Sequence, residues 1–198
     1  MGLIAVGNND TYRPAPEGTH MARCVQVIDL GTQYSQVYNN NRRLVQLVFE
    51  LCSELNDAGS NFLLARKYTL SLGAKTSLRK DLESWRGKNF TEEELKGFDI
   101  LNLLDKGCFL NVVHRKSEDG TRTYASIKAI MALPRWTEIP ARETPLVSFL
   151  VEEWDDEVFK TLPEYTQDLI VDSQEYKDKH NPQKGPQPYY KENDDIPF

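Results

Sequence analysis

Residues 45–51 leave the chain little choice of local structure. Val45, Leu47, Phe49 and Leu51 fall on one side of a period-two pattern, with Gln46 and Glu50 on the other. A helix would scatter these apolar side chains around its axis, whereas a strand gathers them on one face. The segment therefore reads as a half-buried strand, which needs other strands beside it. Two are at hand. Thr19–Gln33 is apolar and β-branched and is expected to be a strand closed by Gly31. Residues 62–72 place Phe62, Leu64, Arg66, Tyr68 and Leu70 on one side, after a turn at Asn56–Asn61.

The period then changes. Leu78, Leu82 and Trp85 stand at i, i+4 and i+7, a helical stripe that Thr76 or Ser77 can cap and Gly87 can close. Thr91 and Glu94 form a capping-box pair, and Asp99–Gly107 reads as one more short helix. Strands return at Cys108–Lys116 and Arg122–Leu133, joined by a turn carrying Asp119-Gly120. The order β-β-β-α-β-β predicts a mainly β protein, an OB-fold Greek-key barrel with a helical insertion.

Charge divides the chain. Through Arg135 there are 18 Lys and Arg against 15 Asp and Glu; from Trp136 onward there are 6 against 15. A mildly basic body followed by an acidic region has room for a polyanion-binding surface that the net charge of −6 conceals. The expected organisation is a flexible arm over 1–18, a nucleic-acid-binding domain over 19–136, and an acidic, partly helical extension over 137–175. Val147, Leu150, Val151 and Trp154 are its amphipathic stripe. A Pro-rich disordered tail over 176–198 completes the chain.

Catalysis finds little support. Paired carboxylates such as Glu152/Glu153 and Asp155/Asp156 lie in solvated acidic runs, and no GxSxG, Walker or dinucleotide motif occurs. The nearest phosphate-loop lookalike, LGAKTS at 72–77, lacks its first glycine, so Lys75 is expected to meet a nucleic-acid phosphate or solvent. Cys24, Cys52 and Cys108 are dispersed in apolar stretches and read as buried thiols. His20, His114 and His180 lack metal-ligand spacing, so no metal or cofactor is expected. No apolar run approaches 18 residues, so no membrane span is expected, and the compartment is expected to be the cytoplasm.

Single strands are held by cations along the backbone and aromatic planes beneath the bases. Both residue types recur where an OB-fold presents its ligand. The candidates are Tyr34, Tyr38, Arg42 and Arg43 around the first connection, and Arg66, Lys67 and Tyr68 on the third strand. The final hairpin adds Arg115, Lys116, Arg122, Tyr124 and Lys128, with His114 alongside, and Trp136 follows it.

The last residues, Asp194, Asp195, Ile196, Pro197 and Phe198, resemble the acidic tip of bacterial single-stranded DNA-binding proteins. That resemblance implies that Phe198 enters an apolar pocket on a replication or recombination partner, with the aspartates against a basic rim. Residues 68–127 carry Trp85-Arg86-Gly87, the FTEEEL segment, the Leu-Leu-x-Lys-Gly turn and the following strand pair. They resemble bacteriophage single-stranded DNA-binding proteins of the OB type, and about residues 12–136 fall under this likeness. The implied function is non-catalytic coating of single strands, in the host bacterial cytoplasm if the protein is viral, with a homodimer allowed for. The insertion between strands 3 and 4 and the acidic region after Trp136 depart from the cellular branch.

The rival reading is an interaction protein that presents the tip and binds no DNA. The two separate on whether Arg66, Arg122, Tyr124 and Trp136 share one exposed face. If the acidic tip competes with DNA for the basic body, deleting Glu192–Phe198 tightens binding at low salt. An unchanged affinity in a fluorescence titration would refute that competition.

Overall fold

Strand β1 (Gly18–Ser35) is the axis of the fold. In this computed structural model, which describes residues 13–35, 39–117 and 119–180, β1 pairs antiparallel with β2 (Asn40–Leu55) along residues 22–35. It pairs with β4 (Gly107–Lys116) along residues 18–23. β3 (Asn61–Thr69) lies outside β2, and β5 (Thr123–Met131) outside β4, giving the order β3-β2-β1-β4-β5. Where β4 leaves β1, the short β6 (Val147–Phe149) takes its place, parallel, with Gln26, Val27 and Ile28 opposite Val147, Ser148 and Phe149. The protein is mainly β, as its periodicity predicts.

The alternation in β2 sends Val45, Leu47, Phe49 and Leu51 to one side as expected, but the strand is buried on both faces instead of half-buried, because Gln46, Val48 and Glu50 are covered too. Val45, Leu47, Phe49 and Leu51 join Ala22, Cys24, Val27, Phe62, Leu64, Leu110, Val112, Ile127 and Ile130 in the main core. Helix α1 (Ser77–Arg86) lays Leu78, Leu82 and Trp85 on that core. Each such burial contributes about 1.5–3 kcal/mol. Gly87 ends α1 in the left-handed region at φ 65°, and its N–H and that of Lys88 return to Ser84 and Glu83. At the other end Thr76 holds the cap position, but its hydroxyl donates to the carbonyls of Ser71 and Gly73 instead of capping. The capping box of α2 (Glu92–Lys96) is complete between Thr91 and Glu94. The Asp99–Gly107 segment yields only a 3-10 turn at Ile100–Leu103, and Gly107 opens β4.

Gly31 does not close the first strand. It sits in a bulge at φ 66°, and β1 continues to Ser35. Its missing side chain lets the C-terminal segment approach, because a Cβ there would lie 2.5 Å from Ser173 Cβ. That segment is more than a loosely appended extension. Val25, Ile28, Leu30 and Val48 on the second face of the sheet form another core with Phe149, Val151, Leu162 and Ile170. Helices α3 (Asp156–Thr161), α4 (Glu164–Val171) and α5 (Gln174–His180) follow β6 over this face. The expected amphipathic stripe from Val147 thus starts as a strand, and the expected tail from residue 176 starts as part of α5. Trp154 packs with Phe149, Phe159 and Tyr176.

Cys24 and Cys108 are buried, and Cys52 is half-buried. Burial pushes the Cys24 thiol up to about 12, which keeps it an inert packing group.

Glu50, buried on β2, ties the 143–144 segment to the sheet. It accepts the amide N–H of Thr144 at 2.6 Å, that of Glu143 at 3.1 Å and the Asn61 side-chain amide at 3.4 Å. Burial alone would raise its pKa, but these donors outweigh it and hold the carboxyl below its ordinary value. A depressed folded-state pKa adds stability above the unfolded value and loses it as pH falls through the folded one. Glu50→Gln should cost about 1–3 kcal/mol at neutral pH and flatten the loss of thermal midpoint below about pH 4. Parallel acid profiles for the two proteins would overturn this role.

Candidate nucleic-acid interface

The β4–β5 hairpin gathers the largest share of the expected residues. Arg115 lies directly across from Tyr124, and Lys116 across from Thr123. Tyr124 is 44% exposed. Lys128 is the extra residue of a bulge, between the pairs Val112–Ile127 and Asn111–Ala129, and it is exposed. Among the described residues, Arg115, Lys116, Arg122 and Lys128 make no ion pair. The nearby Asp119 spends its oxygens on the turn, accepting from Ser117 and from the N–H and hydroxyl of Thr121. These bonds pull its pKa down to about 2.

β3 and β5 run parallel to each other, since each is two antiparallel steps from β1 and β1 lies between them. The Arg66 guanidinium bridges them, donating to the Ile127 carbonyl at 3.2 Å. One side chain thus spans from β3 to β5, and Leu63 and Tyr124 are exposed on the two strands. The strip of β3 from Leu63 to Thr69 is about 20 Å long at ~3.3 Å per residue. At its lower end a cleft of ≈ 930 Å³ opens between β2, β3 and the start of α1. Arg42, Lys67 and Lys75 line it with Thr69, Ser71 and Ser77, and among the described residues no carboxylate does. The phosphate-loop lookalike thus places Lys75 in a cationic cleft.

Three expected DNA contacts have other employment. Tyr68 is 2% exposed, and its ring is part of the main core. Its hydroxyl donates to Asp81 at 2.8 Å, and burial, with the Asp81 charge, pushes its pKa up. Arg66 also pairs with Asp81 at 3.1 Å, so its side chain links β3 to α1 and β5 instead of projecting toward a ligand. Arg43 pairs with the buried Asp29 at 2.7 Å and with Glu152 at 2.9 Å, clasping β1 and β2 to the C-terminal segment. The Asp29 hydrogen bond raises the pKa of that guanidinium further.

Trp136 is 85% exposed but follows the far end of β5, on a turn closed by Thr137 N–H to the Pro134 carbonyl. More than 20 Å of strand, by the same rise, separates it from the hairpin tip. Arg66, Arg122, Tyr124 and Trp136 therefore do not share one exposed face; only Arg122 and Tyr124 lie together. Tyr34 is exposed on β1 and bonded to Asn39, and Arg42 bonds Asn40. His114 accepts no ligand role here: its ring bonds the Ala15 carbonyl. Tyr38 and the tip residues Asp194, Asp195, Ile196, Pro197 and Phe198 lie outside the described residues.

One exposed aromatic beside the cleft escaped the sequence reading. Tyr165 of α4 is 63% exposed and its hydroxyl meets Lys67 Nζ at 2.9 Å. The sequence carried no signal for it, because the cation it meets, Lys67, lies on β3. Among the described residues no three His, Cys, Asp or Glu side chains converge on a metal position, and no helix is long and apolar enough to cross a membrane. No protein-family model matches the chain, and no curated protein matches it significantly.

Arg66→Met should lower stability by about 1–3 kcal/mol, because it removes the cation beside Asp81, leaving it the Tyr68 hydroxyl, and the Arg66 donor to the Ile127 carbonyl. Affinity for DNA per folded molecule should stay unchanged. Lost affinity with an unaltered urea midpoint would return Arg66 to the interface.

Proposed function

We propose that the protein is a non-catalytic single-stranded DNA-binding protein built on an OB-like barrel. The fold reading draws on the strand order, on the parallel approach of β3 and β5, and on the placement of α1 between β3 and β4 across the end of the main core. The functional reading rests chiefly on one observation: Arg115, Lys116 and Arg122, without ion-pair partners among the described residues, stand with exposed Tyr124 on one hairpin. Cations without carboxylate partners are free to neutralise phosphates, and an exposed ring next to them can stack on a base.

In this reading the strand runs from the hairpin along the β3–β5 strip to the Arg42–Lys67–Lys75 cleft. The C-terminal tip recruits replication or recombination enzymes, as its likeness to the cellular proteins implies, and the work is done in a bacterial cytoplasm. A second reading, an interaction module that binds no DNA, is favoured by the separation of Trp136 and Arg66 from the hairpin.

A titration with single-stranded and duplex DNA of equal length at several salt concentrations separates the two. The first reading expects a single-strand preference and a log K that falls with log salt. Arg115→Ala/Lys116→Ala/Arg122→Ala should then reduce that slope by about 2, at ~0.7 per single-strand phosphate, and weaken binding about tenfold or more near 0.1 M salt. No binding by the wild-type protein at low salt would leave only the interaction module.

A further inference from the structure

The cationic cleft and Tyr165 are joined by one rung of the sheet. Gln46 and Lys67 are cross-strand partners on β2 and β3. The Gln46 amide reaches the Thr166 hydroxyl at 3.5 Å, and Lys67 Nζ reaches the Tyr165 hydroxyl at 2.9 Å. Two successive residues of α4 therefore grip the two members of one strand pair, and this holds Tyr165 against Lys67, which lines the cleft. Lys67 Nζ is 4.8 Å from the ring centroid, much farther than from the oxygen. The ammonium thus sits toward the hydroxyl end and leaves most of the ring open. Thr69, two residues further along β3, lines the cleft about 7 Å away.

The charges nearby divide the labour. Glu164 and Asp168 make the exposed side of α4 acidic, so this helix has nothing to offer a phosphate. Arg42, Lys67 and Lys75 supply the cations from the barrel side, and the cleft's volume is within the ~300–1,000 Å³ of sites that enclose small ligands. An open ring beside a cleft lined by three cations suits one nucleotide, with base and phosphate on different walls.

We infer that the C-terminal segment completes the DNA site: Tyr165 stacks one base of the single strand, and the adjoining phosphate lies among Arg42, Lys67 and Lys75. This rests on the proposed DNA-binding function and gives the acidic extension a direct part in it.

The test compares Tyr165→Ala, Tyr165→Phe and Lys75→Ala with the hairpin triple variant, on single-stranded DNA over a range of salt. Tyr165→Ala should bind about 5- to 140-fold more weakly, the loss of one base–aromatic stack, with the salt slope unchanged. Tyr165→Phe keeps the ring but loses the Lys67 contact, and should retain most of the affinity that Tyr165→Ala loses. Lys75→Ala should lower the slope by about 0.7. Tyr165 is exposed, so an unshifted thermal midpoint for Tyr165→Ala is expected and confirms that the fold is intact. Wild-type affinity in Tyr165→Ala, while the hairpin variant loses binding, would overturn this inference alone. Absence of single-strand binding in the wild type would overturn both it and the proposed function.

Discussion

β1 is apolar on both of its faces, and the rest of the structure answers to that. Ala22, Cys24 and Val27 belong to one core, and Val25, Ile28 and Leu30 to another. Two bulges, at Val25 and Leu30, turn successive apolar residues to opposite sides. An antiparallel sheet commonly leaves one face to water, but leaving either set exposed here would forfeit several side-chain burials. Strands β2 to β5 and α1 enclose the first set. Among the described residues the segment after Leu146 covers the second, and Gly31 is bare where the residues leading into α5 come close.

That second covering decides which surface remains for a ligand. The outward side of β1 and β2 lies beneath β6 and the C-terminal helices, and Arg43 and Gln46 are committed to holding them there. The uncovered cationic surface is displaced to the hairpin, to β3 and to the cleft by α1. The acidic composition of the extension takes on a different sense in this light. Its acids face solvent or clasp the sheet, as Glu152 does with Arg43 and Glu175 with the Thr32 N–H and hydroxyl. On the β4–β5 hairpin, Arg115, Lys116 and Arg122 make no ion pair among the described residues.

What could be read in advance was local. The facing of Val45, Leu47, Phe49 and Leu51, the stripe of Leu78, Leu82 and Trp85, and the Thr91–Glu94 box each rest on contacts within a few residues, and each took its expected form; the burial of the other face of β2 was not legible there, because the segment that covers it lies about a hundred residues on. The cation–aromatic hairpin was legible for the same reason, since Arg115 and Tyr124 are separated only by a tight turn. Arg66 and Arg43 were not, because their fates hang on Asp81, Ile127, Asp29 and Glu152, partners that only the tertiary fold brings near. β6 was missed because three residues are too few to show a period. Gly31 reads equally as a strand end or a bulge until its neighbour Ser173 is known. Tyr165 carried no cation beside it in sequence; Lys67 arrives from another strand.

The succession of β4 and β6 along one edge of β1 bears on how the chain is made. β1 is complete at Ser35, but the partner for its residues 26–28 is Val147–Phe149. At 5–20 residues per second, roughly 6–20 s of synthesis separate the two. During that interval the backbone N–H and C=O groups of Gln26–Ile28 on that edge have no strand of their own chain, beside the still uncovered Val25, Ile28 and Leu30. A second nascent chain on the same message meets them first. The bulges that serve packing in the finished molecule interrupt that edge meanwhile, and they make it a poor template for pairing with a stranger.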